Sequence, residues 1–83
     1  MRNTELRRTV LEILERVEPY ALPEESLKSG LNALVRPPAG QAEFDETINF
    51  LNINRHIKVL ADDLDPTKGK WLITETGKAL LRK

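Results

Sequence analysis

Apolar residues recur at intervals of three and four along three stretches of this chain, and then at every second position near its carboxyl end. The first spacing is typical of one face of an α-helix, and the second of one face of a β-strand. The pattern predicts helices over about 4–17, from residue 23 onward and over about 41–54. A β-hairpin and a short amphipathic tail over 75–81 follow.

Local signals place the ends of these elements. Asn3 or Thr4 suits the N-cap of the first helix. Pro19 ends that helix, because a residue before proline is pushed out of the α region. Pro23 suits the first position of the second helix. Asn54 is expected to take the left-handed conformation at the turn after the third helix, which asparagine tolerates better than most residues.

The helical stripes predict the core. Their members are Leu6, Val10, Ile13, Leu14 and Val17 in the first helix, Leu27, Leu31 and Leu34 in the second, and Phe44, Ile48 and Leu51 in the third. Gly30 interrupts the second stripe, where glycine costs about 1 kcal/mol against alanine. Either another helix comes close there or the glycine is a tolerated surface residue, and the sequence leaves both open.

The hairpin has two distinct faces, because side chains alternate along a strand. One face holds Ile57, Val59 and Ala61 with Trp71 and Ile73, whereas Leu60 and Leu72 lie on the other. Pro66 and Gly69 suit the turn between the strands. The link 20–22 is expected to form a short first strand. The predicted class is α+β, one domain over residues 1–83, with three core helices, a hairpin and a tail helix.

Composition limits the chemistry. The 83 residues include 13 lysines and arginines and 13 aspartates and glutamates, so the chain lacks the basic excess of many nucleic-acid-binding domains. It has no cysteine, which excludes disulfides and cysteine zinc sites and fits a cytoplasmic location. It has no apolar run of 18 residues, so we expect no membrane span.

Catalysis has little support in the sequence. His56 is the only histidine, Ser26 and Ser29 are the only serines, and no glycine-rich phosphate loop or metal-ligand spacing occurs. The acids at 62, 63 and 65 do not fit a calcium loop, because Lys68 stands where such a loop needs glycine. We therefore expect no enzyme activity, no metal and no cofactor, and a structural role for His56.

Two segments resemble winged-helix bacterial regulators of the MarR and PadR type. Residues 71–81, WLITETGKALL, resemble the strand-to-helix segment that closes that fold, and residues 48–57 resemble the end of its recognition helix, with Arg55 where glycine is usual. A looser similarity is to small winged-helix proteins of Mu-like prophages. The resemblance implies a winged helix-turn-helix with the third helix in the DNA major groove and the hairpin as a wing on the backbone.

The resemblance also implies site residues. Polar residues expected to face the groove are Gln41, Thr47, Asn49 and Asn52. Lys68 and Lys70 are the expected phosphate contacts of the wing. The predicted partner on this interpretation is double-stranded DNA, bound by a transcription regulator.

Other residues favour a protein partner. The third helix carries Glu43, Asp45 and Glu46 and no basic residue, and carboxylates repel the phosphate backbone. The expected outward-facing apolar residues are Phe50, Ile53, Leu60 and Leu72. Such surfaces often mark protein interfaces, although the chain ends could instead cover them as a wider core. A module that self-associates or docks on a larger protein is thus the alternative to DNA binding.

Overall fold

The computed structural model describes residues 2–61 and 69–82. Its elements are α1 (Arg2–Val17), β1 (Leu22–Pro23), α2 (Glu24–Leu34), α3 (Gln41–Ile53), β2 (Ile57–Ala61), β3 (Gly69–Ile73) and α4 (Glu75–Leu81). The three strands form one antiparallel sheet in the order β1-β3-β2. The predicted α+β class and element order are confirmed, and the short first strand is present but lies at Leu22–Pro23 and not over residues 20–22.

The core lies where the helical stripes meet the inner face of the hairpin. Its buried members are Leu6, Val10, Leu11, Leu14, Leu27, Leu31, Val35, Ala39, Phe44, Ile48, Leu51, Ile57 and Ile73. Leu11 was not predicted. It is buried because α1 contacts α2 and α3, and also β3 and α4, so its buried face is wider than one stripe. The prediction for Leu34 is wrong: it is 59% exposed at the last position of α2.

Two predicted helix starts differ from the structure. α1 begins at Arg2, so Asn3 and Thr4 lie inside its first turn and do not cap it. Pro23 is the N-cap of α2 and not its first helical residue. Its extended backbone, with φ −60° and ψ 150°, allows Pro23 to pair with Lys70 as the last residue of β1.

Gly30 lies beneath the side chain of Ile13. A Cβ built on Gly30 would stand 3.6 Å from Ile13 Cδ1, an ordinary van der Waals contact. A neighbouring helix does therefore approach at this point, but its distance leaves room for a methyl group.

The turn after α3 corrects one residue assignment. Arg55, with φ 62°, is the left-handed residue, whereas Asn54 has φ −86°. The His56 N–H donates to the Leu51 carbonyl at 2.9 Å, and the Arg55 N–H donates to the Asn52 carbonyl at 3.1 Å. This pair of bonds is the Schellman motif, which requires a left-handed residue at the position of Arg55.

The segment that closes the fold is held by Thr74 and Gly77. The Thr74 hydroxyl accepts the Gly77 N–H at 3.1 Å, which caps α4, and donates to the Arg55 carbonyl at 2.6 Å. The Thr74 N–H donates to the His56 carbonyl at 3.1 Å. A Cβ on Gly77 would overlap that same carbonyl oxygen. Glycine is therefore needed at 77 because α4 passes directly over the start of β2.

Candidate nucleic-acid interface

The solvent face of α3 carries two exposed asparagines. Asn49 and Asn52 are exposed, three positions apart, and no described residue hydrogen-bonds to either side-chain amide. An asparagine amide offers a donor and an acceptor side by side, the pattern that pairs with adenine in the major groove. These two residues therefore meet the geometric requirement for reading a base edge.

The other two polar candidates on α3 are already bonded. The prediction for Thr47 is wrong, because its side chain is only 4% exposed and its hydroxyl donates to the Glu43 carbonyl at 2.8 Å. Gln41 is exposed, but its amide nitrogen donates to Asp45 at 2.8 Å and its amide oxygen accepts from Lys28. Gln41 would have to exchange both bonds to contact a base.

The acidic character of α3 is smaller than its sequence indicates. Glu43 is half-buried, and its carboxylate accepts the N–H of Gly40 at 3.3 Å, so it caps its own helix. Asp45 and Glu46 remain exposed. A phosphate backbone lying along this face would thus meet two exposed carboxylates and no basic side chain of α3.

The wing carries a pair of lysines on its outer face. In the hairpin register Lys58 pairs with Leu72 and Leu60 pairs with Lys70, so all four side chains share the outer face of the sheet. Lys58 and Lys70 are both exposed. Lys58 was not predicted, although strand alternation and the register place it there. Lys68, Pro66 and the acids of the turn lie outside the described residues.

Phe50 does not point outward as predicted. It is half-buried against the core, and the Arg7 guanidinium stacks on its ring 3.6 Å from the centroid. For Phe50 the structure thus agrees with the alternative, in which residues near a chain end cover it. The other apolar candidates are at the surface: Ile53 is 68% and Leu60 44% exposed, and Leu72 is half-buried on the outer face of the wing.

Phe50 lines a groove between α1, the end of α3 and α4. The groove has a volume of about 310 Å³ and is lined by Thr4, Arg7, Arg8, Leu11, Phe50, His56, Leu80 and Leu81. The Nδ1 atom of His56 is buried beside it, without a hydrogen-bond partner in the described part of the chain. His56 otherwise acts through its backbone, which links α3, β3 and α4.

An ionic cluster fixes α4 to the turn after α1. Lys78 Nζ lies 2.8 Å from Glu18 Oε2 and 2.9 Å from Glu75 Oε1. The hydrogen bond to Glu18 and then that to Glu75 raise the pKa of Lys78. The hydrogen bond from Lys78 lowers the pKa of Glu75. This cluster joins α4 to the turn after α1, and none of its three residues belongs to α3.

Comparison with known proteins finds similarity in three dimensions. No family model and no curated protein matches the sequence. The PcaV transcriptional regulator of Streptomyces coelicolor superposes with a TM-score of 0.73 at 17% identity, over 92% of this chain and 48% of PcaV. A mutant of MepR from S. aureus gives 0.76 at 14%, over 94% and 52%. The adhesin competence repressor AdcR of Streptococcus pyogenes gives 0.72 at 19%, over 93% and 51%.

These similar structures are MarR-family winged-helix regulators, so the winged-helix fold predicted from the closing motif is confirmed. The chain spans about half the length of each of them. They are transcription regulators and not enzymes. No helix in the described part of the chain is long and apolar enough to cross a membrane.

Proposed function

We propose that this chain is a DNA-binding module of transcription regulation that reads duplex DNA with α3 and contacts phosphates with the wing. The observation that carries the proposal is the pair Asn49 and Asn52 on the helix that holds the reading position in this fold. Both are exposed, and no described residue bonds to either side-chain amide. PcaV, MepR and AdcR support it as regulators with the same fold. The cytoplasmic location expected from the lack of cysteine belongs to the same proposal.

The two asparagines supply sequence discrimination in this proposal. Each lies on the face of α3 that is free of core contacts, and a good bidentate base contact contributes roughly 1–3 kcal/mol of discrimination against the wrong base. Lys58 and Lys70 contribute phosphate attraction from the outer face of the wing, and Lys68 remains a predicted contact. Phosphate contacts set affinity and position, and carry no direct sequence information.

The charge of the site leads us to expect weak binding. Two described wing lysines oppose the two exposed carboxylates Asp45 and Glu46. Each neutralised phosphate contributes about −0.9 to the slope of log affinity against log salt, so two contacts give a slope near −2. Binding should then be measurable at low salt and lost toward physiological salt.

The test is fluorescence anisotropy of the protein with a random-sequence duplex across a salt series. Lys58→Glu and Lys70→Glu should each weaken binding and reduce the slope by about 1. Arg16→Glu is the matched control, because it makes the same charge change at an exposed position of α1. If Arg16→Glu weakens binding equally, the effect of the wing variants comes from net charge and not from contact with phosphate. If the protein does not bind duplex DNA at low salt, the proposal is rejected.

Base reading is tested separately by selecting preferred duplexes from a random pool. Asn49→Ala and Asn52→Ala should each relax the preference at one base position and change the salt slope little. Asn3→Ala removes an exposed amide from α1 and is the control. Selection of the same sequences by wild type and both variants would remove α3 from the reading role.

A protein-interaction module remains the second candidate, favoured by the exposed apolar side chains of Ile53 and Leu60 and the half-buried Leu72. Ile53 is the most exposed of them, beside the acids of α3. Light scattering should then show a complex that Ile53→Asp dissociates. Leu34→Asp changes an apolar residue of α2 that is also mostly exposed, at 59% against 68% for Ile53, and should not dissociate the complex. Phe50→Asp is unsuitable because Phe50 is half-buried, so its loss would disturb folding itself.

A further inference from the structure

β2 is an edge strand with one side unpaired within the described chain. The sheet order β1-β3-β2 leaves β2 bonded to β3 alone. The bond from the Thr74 N–H to the His56 carbonyl makes these two residues a hydrogen-bonded pair of the antiparallel ladder. Such pairs alternate with non-bonded ones, so Lys58 and Leu60 are the residues of β2 that bond to β3. The backbone groups of Ile57, Val59 and Ala61 accordingly point away from β3.

The side chains of β2 do not protect that edge strongly. Val59 is 51% exposed and Leu60 44% exposed, and Lys58 is the only charged residue in the strand. A row of free N–H and C=O groups flanked by apolar side chains is a template for another strand. The other edge of the sheet, β1, has two residues and offers far less.

We propose that β2 pairs antiparallel with β2 of a second copy, about a two-fold axis at Val59. Val59 then lies opposite Val59 of the second copy, and Lys58 lies opposite Leu60. All five strand residues overlap, and the two three-stranded sheets become one six-stranded sheet. The contact is isologous and closes as a two-fold dimer, the commonest oligomer symmetry.

Charge and overlap select this register among those that the backbone allows. An axis at Lys58 would set the two lysines opposite each other in a close, non-hydrogen-bonded pair, which is destabilising. An axis at Leu60 would pair only three of the five residues of β2. With the axis at Val59, the carbon chain of each lysine lies beside Leu60 of the other copy, and its ammonium group stays in water.

The expected dimer is weak. The pairs formed by Ile57, Val59 and Ala61 exchange about six backbone hydrogen bonds. Two five-residue strands bury much less than the roughly 1,600 Å² of a standard interface. Dimerisation should therefore depend on protein concentration and need no DNA, so it can be tested apart from the proposed function.

A cysteine scan tests the register, because the chain has no cysteine of its own. Facing residues at the Val59 axis would have Cα atoms about 5.5 Å apart, within the range of a disulfide. Val59→Cys, oxidised with oxidised glutathione, should form covalent dimer at least tenfold faster than the two controls. Leu60→Cys is the register control. With the axis at Val59, the Cα atoms of residue 60 in the two copies lie farther apart than the roughly 7 Å limit for a disulfide. Lys70→Cys, exposed on β3, reports random collision.

A proline variant tests the backbone contribution. Val59→Pro removes the outward N–H, as proline on an edge strand can do without breaking a ladder bond. Wild type should show dimer at high concentration in analytical ultracentrifugation, and folded Val59→Pro should be monomeric. A wild type that stays monomeric, equal oxidation of the three cysteine variants, or faster oxidation of Leu60→Cys would overturn the proposal. If Val59→Pro fails to fold, the cysteine series still decides.

Discussion

Gly77→Ala should destabilise the protein more than its small size suggests. The added Cβ would overlap the His56 carbonyl oxygen and stand 2.9 Å from Ile73 Cγ1. The carbonyl is backbone and cannot rotate away, and it already accepts the Thr74 N–H. The methyl group can therefore be accommodated only if α4 moves away from the start of β2, which weakens the hydrogen bonds that Thr74 makes there.

The magnitude follows from three contributions. Overpacking costs about 1–3 kcal/mol, and weakening one hydrogen bond adds about 1 kcal/mol. The higher helix propensity of alanine returns up to about 1 kcal/mol. The mid-range values give a net loss of about 2.5 kcal/mol, which is a large part of the roughly 4–12 kcal/mol expected for a chain of this length. At about 4–8 °C per kcal/mol, Tm should fall by about 10–20 °C.

Thermal and urea denaturation followed by circular dichroism would measure this loss. Gly30→Ala is the matched control, because it is the same substitution in a helix whose added Cβ meets Ile13 at ordinary contact distance. That variant should gain up to about 1 kcal/mol from helix propensity. If Gly77→Ala is as stable as wild type, or if both variants lose stability equally, the close approach of α4 to His56 is not the reason that residue 77 must be glycine.

Three further predictions concern the same region. Arg55→Gly should raise the free energy of unfolding in urea by about 1 kcal/mol, because glycine adopts the left-handed conformation without strain. A decrease would mean that contacts of the arginine side chain stabilise the fold by more than the backbone strain costs. Thr74→Val should lower stability by about 1–2 kcal/mol through loss of the α4 cap, and unchanged stability would show that the cap is dispensable. The ion pairs of Lys78 with Glu18 and Glu75 should contribute to the stability of the fold at neutral pH. The contribution of Glu75 is lost as pH falls through its lowered pKa, below the usual 4.5, and that of Lys78 as pH rises through its raised pKa, above 10.5. Lys78→Met should flatten the change of Tm with pH at both ends, and an unchanged profile would contradict this role.

The sequence predicts the elements of this fold well because its periodicities are strong and local. The stripes of α2 and α3 and the alternation along the hairpin place most of the core. Leu11 could not be found this way, because its burial depends on α1 being covered from two sides. Phe50 is similar: Arg7, which covers it, is 43 residues away in sequence, and no local pattern predicts that stack.

The site was predicted less well than the fold for a related reason. Thr47 is polar, but the helix buries it and its hydroxyl bonds to the preceding turn, which only packing reveals. Lys58 was within reach of the sequence, because pairing Ile57 with Ile73 sets its position opposite Leu72. Arg55 occupies the usual glycine position of the resembling family, and the bonds that end α3 show why a left-handed residue is needed there.

The bonds around Thr74 have a mechanical consequence. Thr74, at the start of α4, donates its hydroxyl to the Arg55 carbonyl and its N–H to the His56 carbonyl. Arg55 and His56 connect the end of α3 to the start of β2. These three elements therefore cannot move separately unless the two bonds break. The distance between α3 and the start of the wing is therefore fixed. On the proposed function, duplex DNA would have to match that spacing as it stands, and selectivity would arise from distance as well as from the chemistry of the side chains.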